Sequence, residues 1–298
     1  MKHLLDIEQL THREINGLIQ RALHFKHHPI YPRYSHCTLA NLFYENSTRT
    51  RVSFELAANA LGIHVVNLDL HRSSESKGEV IEDTVKNLAA MGIKLFVVRH
   101  TQNRLPQALS ARCDDVHIVN AGDGQHAHPS QALLDLMTIV ERKPDLNNLK
   151  IAIVGNLRHS RVANSLQCIS AKLGVGELAL VAPTIWQPSV VHYGHVTTSL
   201  KEGLADADVV ICLRVQQERL SAAEQIDPAT YRRDYAITPT SITLAKSDAM
   251  VMHPGPINRG VEIDSEVADG PQSFILRQVQ NGVYMRMAIL ETLINADI

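Results

Sequence analysis

The sequence predicts a parallel α/β protein built from two doubly wound domains. Three observations predict it. Runs such as KIAIVG and ADVVICL are apolar almost throughout, as strands covered on both faces must be. These runs alternate with stretches of helical period, an order that lays helices over parallel sheets. The chain has 298 residues, which suits two domains of about 150 residues each.

The first series of strands is expected at Thr38–Phe43, His64–Leu68, Lys94–Val98 and His117–Asn120. A second follows at Lys150–Val154, Glu177–Val181, Asp208–Leu213 and Met250–Met252. Helices are expected at Arg51–Ala60, with Val52, Leu56 and Ala60 as its apolar positions, and at Glu82–Met91, Ser130–Glu141 and Arg161–Leu173. The last segment, Asn281–Ile298, reads as an amphipathic packing helix with Val283, Met287, Ile289, Leu290 and Leu293 apolar. The polar stretch ERKPDLNNLK contains Pro144 and places a domain boundary within Ser130–Lys150.

Composition excludes several classes of function. Apolar residues at 45% and charged residues at 20% are ordinary globular values. A net charge of −2 gives no electrostatic case for nucleic acid or an anionic membrane, so any anion site is local. The four cysteines, Cys37, Cys113, Cys168 and Cys212, form no CxxC pair and read as reduced thiols of a cytoplasmic protein. The N-terminus lacks a long apolar run, so neither a signal peptide nor a membrane span is expected.

The stretch FYENSTRTRVSFE brings Ser47, Thr48, Arg49 and Thr50 to the handover from strand to helix. One hydroxyl would suffice as an N-cap. Hydroxyls and a guanidinium fork beside the free N–H groups of a helix start fit the geometry and charge of a phosphate. Arg51, four residues before Glu55, reads instead as half of a helix-surface pair. Further along, HRSSESKGEV forms a polar loop carrying Ser73 and Lys77. Arg99 and His100 end the KLFVVRH strand, where α/β sheets take ligands; His100 is read as structural.

In GDGQHAHPSQALLDL, His126 and His128 raise a rival reading as a metal-dependent hydrolase. They lack carboxylate or cysteine partners at a familiar spacing, and Pro129 opens a helix directly after His128, so no metal is expected. IAIVGNLRHSR has the layout of a nucleotide-binding turn without its G-x-G-x-x-G glycines. It sets Arg158, His159 and Arg161 at a helix N-terminus, where cations oppose the helix dipole unless an anionic ligand joins them. Arg214, Gln216, Glu218 and Arg219 follow the DVVICL strand, and His253-Pro254-Gly255-Pro256 stiffens the turn after the last one.

Together these stretches resemble the aspartate and ornithine carbamoyltransferases. S-T-R-T-R is similar to the family's carbamoyl phosphate loop, and His128-Pro129-Ser130-Gln131 to its H-P-x-Q motif about 80 residues later. R-V-Q-x-E-R, the lack of S-M-G after DVVICL, and H-P-G-P in place of H-C-L-P favour the aspartate-using branch.

The resemblance implies an active site in the cleft between two domains and at a subunit interface. The carbamoyl-phosphate domain would span 1–135 plus the C-terminal helix 281–298, and the aspartate domain 136–280. The implied reaction passes the carbamoyl group of carbamoyl phosphate to the α-amine of L-aspartate, early in pyrimidine synthesis. The acceptor ornithine and a non-catalytic binding subunit are the alternatives. Ser47, Thr48, Arg49, Thr50, Ser73, Lys77, Arg99, His128, Gln131, Pro254 and Gly255 would bind carbamoyl phosphate. Of these Arg49, Thr50, Lys77, Arg99 and His128 would be catalytic, while Lys77, Arg161, Arg214 and Gln216 would hold aspartate. No cofactor is implied. The expected assembly is a homotrimer that shares Ser73 and Lys77 across subunits, with room for a regulatory chain or a dihydroorotase as partner.

Overall fold

A computed structural model describes residues 1–68, 78–216 and 220–297. The expected roles of Ser73, Lys77, Glu218 and Arg219 lie outside the described residues. The chain divides into two compact units, one of residues 1–137 with 279–298 and one of residues 138–278.

The first unit opens with α1 (His12–His27), which the composition reading passes over. A capping box starts it: the Thr11 hydroxyl accepts from the Glu14 N–H at 3.2 Å and the Glu14 carboxylate accepts from the Thr11 N–H at 2.9 Å. β1 (Thr38–Phe43), α2 (Thr48–Ala60), β2 (His64–Asn67), α3 (Ile81–Ala90), β3 (Leu95–His100), α4 (Leu105–Arg112), β4 (His117–Asp123) and α5 (Pro129–Arg142) follow. The four strands form an all-parallel sheet in the order β2-β1-β3-β4. Alternate residues of the strands, Ala40, Leu42, Phe96, Val98 and Ile118, pack one face beneath α3 and α4.

On α2 the sequence reading of the buried face is wrong. Phe54, Ala57 and Ala58 are buried, while Val52 and Leu56 are 41% and 52% exposed. The helix begins at Thr48, three residues before the expected Arg51, and its buried stripe runs from Thr50 through Ser53 and Phe54. Glu55 accepts from Asn67 of β2 at 3.2 Å instead of pairing with Arg51.

The second unit contains β5 (Lys150–Val154), α6 (Arg161–Leu173), β6 (Glu177–Val181), β7 (His195–Thr197), α7 (Leu200–Leu204), β8 (Val209–Cys212), α8 (Pro228–Tyr235), β9 (Met250–Met252) and α9 (Ser265–Ala268). Its five strands are parallel in the order β7-β6-β5-β8-β9. The edge strand β7, three residues long, was absent from the sequence reading because its HVT carries no run of apolar residues. The last helix, α10 (Ile275–Ile294), starts six residues earlier than expected, and the division between the units falls within both α5 and α10.

Among the described residues, no helix is long and apolar enough to cross a membrane. All four cysteines are free thiols, and burial pushes the Cys212 thiol far up.

Gly155, just past β5, carries a φ of +136°, and a Cβ there would stand 2.9 Å from the Leu213 carbonyl oxygen. Only a bare Cα lets the chain leave β5 so close to the end of β8. Gly155→Ala should therefore cost about 2 kcal/mol. A clear fall in the thermal midpoint, followed by circular dichroism, is the expected result, and an unchanged midpoint would contradict this packing.

Candidate active site

In the first sheet the chain runs outward from β1 to β2, then crosses back to β3 on the other side of β1. β1 and β3 are therefore neighbours whose continuations diverge, and their carboxyl ends mark a topological switch point. Register brings Phe43 beside Arg99, and the Tyr44 N–H donates to the Arg99 carbonyl at 2.9 Å. The connection then enters α2 through Ser47, which has the extended backbone of an N-cap but makes no cap bond with its side chain. The first turn of α2 contains no acidic residue either. Its N–H groups and the positive end of the helix dipole are thus left for an acceptor from outside the helix. A serine that caps its helix would have removed one of these donors.

Arg99 is locked in place. Its Nη1 donates to the Ala121 carbonyl of β4 at 3.2 Å, and its Nη2 meets a Glu45 carboxylate oxygen at 3.2 Å. Glu45, which the sequence reading missed, ties this arginine to the loop that carries Ser47. The neighbouring His100 is structural as expected. Its Nδ1 accepts from the Gln102 N–H at 2.8 Å, its ring meets Tyr44 edge-on at 4.9 Å, and burial lowers its pKa.

His128 is buried at the start of α5, where its carbonyl accepts from the N–H groups of Gln131 and Ala132, and Pro129 takes the first helical position. Gln131 is buried one turn on, and its Nε2 donates to Asp135 Oδ1 at 2.8 Å. Burial lowers the pKa of the Arg49 guanidinium while the Asp135 charge opposes it. Asp135 thus bonds Gln131 directly and acts on Arg49 through its charge.

His126 has a different task from the metal pair considered with His128. Its Nδ1 lies 2.9 Å from Asp123 Oδ2 and its Nε2 3.2 Å from Asp6 Oδ2, so both ring nitrogens are engaged by carboxylates. Asp123 is fully buried and also accepts from the N–H groups of Arg104 and Ala127. This arrangement fixes the loop two residues ahead of His128.

The second sheet repeats the logic. β6 and β7 lie on one side of β5, and β8 and β9 on the other, so the switch point falls between β5 and β8. Both connections leaving it carry arginines. Arg161 is buried as the first residue of α6, whose N-cap Ser160 accepts from the Ala163 N–H at 3.1 Å. Arg214 and Gln216, both half-buried, follow β8. His159 is buried, with its Nδ1 3.1 Å from Asn156 Oδ1 and its Nε2 3.3 Å from Glu224.

Pro254 and Gly255 follow β9, the neighbour of β8. A buried carboxylate organises this turn: Glu262 Oε1 meets His253 Nε2 at 3.1 Å and accepts from the Asn258 N–H at 2.5 Å. The His253 Nδ1 in turn accepts from the Gly255 N–H at 2.7 Å, and Asn258 Nδ2 donates to the carbonyl of Val215 at 3.1 Å. The Pro254–Gly255 turn and the Arg214–Gln216 loop are thus one hydrogen-bonded assembly. Glu262 and Asn258 carried no sequence signal beyond their polarity.

Fold and sites define a two-domain parallel α/β protein with basic, anion-accepting groups at the switch point of each sheet. Residues 2–141 match the family model of the aspartate/ornithine carbamoyltransferase carbamoyl-P binding domain, and residues 147–293 that of the Asp/Orn binding domain. The chain belongs to the aspartate/ornithine carbamoyltransferase family.

Among its relatives is the aspartate carbamoyltransferase catalytic subunit of Legionella pneumophila (strain Corby), 65% identical over 297 residues, 99% of this chain and 100% of the relative. Aspartate transcarbamoylase of Trypanosoma cruzi, solved with carbamoyl aspartate and phosphate, is 29% identical at a TM-score of 0.87, covering 97% of this chain and 95% of that one. Ornithine carbamoyltransferase of Thermus thermophilus gives a TM-score of 0.87 at 26% identity, covering 98% of this chain and 99% of that one.

The Asp123 hydrogen bond, aided by the charges of Asp123 and Asp6, raises the pKa of His126 against the effect of burial. A raised folded-state value means that the stability His126 adds is complete below the unfolded value of 6.5 and lost as pH climbs through the folded one. The thermal midpoint of the native chain should exceed that of His126→Gln by more at about pH 6 than at about pH 9. A difference that stays constant over that range would contradict a protonated His126.

Proposed function

We propose that this chain transfers the carbamoyl group of carbamoyl phosphate to the α-amine of L-aspartate, giving N-carbamoyl-L-aspartate and phosphate. The observation that carries the acceptor is the 65% identity, over the full length, with a protein described as an aspartate carbamoyltransferase catalytic subunit. The geometry supports the donor. An uncapped helix start beside a fixed arginine is a site for a phosphate dianion.

In this reading Ser47, Thr48, Arg49 and the first N–H groups of α2 hold the phosphate. The neutral amine of aspartate attacks the carbonyl carbon, and the carbonyl oxygen gathers negative charge as the C–N bond forms. Thr50, Arg99 and His128 donate to that oxygen, so the stabilisation grows toward the transition state. Gln131 and the main-chain carbonyls of Pro254 and Gly255 accept from the carbamoyl NH2. Collapse breaks the bond to the phosphate oxygen, and the departing phosphate takes the proton that the amine gives up. Every step is met by positioning and charge, with no protein nucleophile.

Arg161, Arg214 and Gln216 hold the two carboxylates of aspartate, with Lys77. Ser73 and Lys77 come from a neighbouring subunit of a homotrimer, so each site is completed by a second copy. The enzyme works in the cytoplasm. The fold alone does not favour aspartate over ornithine, since an ornithine enzyme matches it as well by TM-score. The choice rests on the identity and on the R-V-Q stretch at Arg214–Gln216.

Phosphate release in the presence of both substrates tests the reading. Arg49→Ala should lower kcat/KM by about 100-fold or more with the circular dichroism unchanged, and near-native turnover would overturn the phosphate assignment. Mixing inactive Arg49→Ala with inactive Lys77→Ala subunits should restore part of the activity, because hybrid trimers then contain intact sites. No recovery after verified subunit exchange would contradict sharing.

A further inference from the structure

Asp135 lies on α5 one turn beyond Gln131, fully buried, and no step of the reaction requires it to touch a substrate. A carboxylate accepts hydrogen bonds and donates none, so Gln131 must present its NH2 group to Asp135. The amide oxygen of Gln131 is then left as the acceptor, which is the group a carbamoyl NH2 needs. The same carboxylate acts on two cations. One is Arg49 and the other is Arg286 of α10, which is 3% exposed.

Arg286 is built in with care. Its guanidinium carbon stands 4.9 Å above the ring of Phe54, itself on α2, and its Nη1 donates to the Gly282 carbonyl at 3.0 Å. A Cβ on Gly282 would approach that Nη1 to 2.6 Å, so this mid-helix glycine is the space the guanidinium occupies. Burial, joined by the like charge of Arg49, drives the Arg286 pKa down to about 10, and the charge of Asp135 opposes the fall. A buried cation of this kind is costly unless a carboxylate balances it.

We propose that Asp135 is a positioning residue of the carbamoyl phosphate site, orienting the amide of Gln131 through their hydrogen bond while its charge balances those of Arg49 and of Arg286 on the last helix. This rests on the assignment of Arg49 and Gln131 to carbamoyl phosphate. The C-terminal helix then reaches the donor site through one carboxylate without touching the substrate.

Asp135→Asn makes two effects compete with opposite signs. Removing a negative charge beside Arg49 strengthens the positive field and, by itself, tightens phosphate binding. Giving Gln131 a partner with its own NH2 lets the glutamine amide turn over, which loosens it. The positioning account expects loosening.

Steady-state kinetics of the full chain should show the KM for carbamoyl phosphate of Asp135→Asn raised about 10-fold, with the KM for aspartate at saturating carbamoyl phosphate within about twofold of native. In the Gln131→Ala background the same change should have a smaller effect than in the native chain, since both act through one contact. A lowered or unchanged KM for carbamoyl phosphate, or effects that multiply independently, would overturn the proposal.

Arg49→Ala and Gln131→Ala report separately on the underlying assignment. If neither alters the kinetics of carbamoyl phosphate, that assignment fails first and the proposal with it. Should Asp135→Asn not fold, Gly282→Ala keeps every charge and displaces only Arg286. It should raise the KM for carbamoyl phosphate about threefold or more with native circular dichroism, and a folded variant with native KM would overturn the role of the last helix.

Discussion

Each sheet of this protein reverses its strand order once, and the placement of its functional groups depends on that reversal. Parallel strands all deliver their carboxyl ends to one edge, and right-handed crossovers force the connections on either side of the reversal to part. In the first unit the parting lies between β1 and β3, and in the second between β5 and β8. Backbone donors at the helix starts and the side chains Arg49, Arg99, Arg161 and Arg214 gather at these points, because other positions along the strands are covered by helices or neighbours. Gly155 shows the constraint at its tightest, since a single methyl group would collide with the carbonyl of the strand beside it.

A cluster of cationic side chains cannot be assembled from cations alone. Several of the basic residues are met by carboxylates, Arg99 by Glu45, His126 by Asp123 and Asp6, and His159 by Glu224, and the charge of Asp135 acts on Arg49 and Arg286. Buried charges of this kind add little net stability and are costly to break. What they supply is orientation. The His253–Glu262–Asn258 assembly does the same with main-chain groups, where the Glu262 carboxylate bonds the turn after β9 and also accepts from the N–H of Val215, beside Arg214. The ligand-facing layer is thus held by a second layer of opposite charge drawn from other elements.

That second layer explains what the sequence revealed and what it concealed. The central strands and α6 were legible because fully covered parallel strands read as continuous apolar runs. The β1–α2 stretch stood out because four polar residues at a strand-to-helix handover exceed the needs of a cap. The short edge strand β7 and the helix α1 were not, although Thr11 and Glu14 carried the spacing of a capping box. The buried face of α2 was misassigned because Val52 and Leu56 have the right period but stand on the exposed side. Asp135 and Arg286 left a fainter trace as single charges inside apolar helical runs, ALLDLM and YMRMAIL. Local sequence reports that such a charge is out of place, while the opposite charge that acts on it stands about 150 positions away along the chain.

The central claim, carbamoyl transfer to aspartate, is tested most directly by the fate of a labelled carbamoyl group. The purified chain would receive 13C-carbamoyl phosphate with equal concentrations of L-aspartate and L-ornithine, and the products would be resolved by NMR. The account predicts N-carbamoyl-L-aspartate with stoichiometric phosphate and no labelled citrulline above the enzyme-free control. Citrulline as the main product, or label lost only to spontaneous breakdown of carbamoyl phosphate, would contradict it.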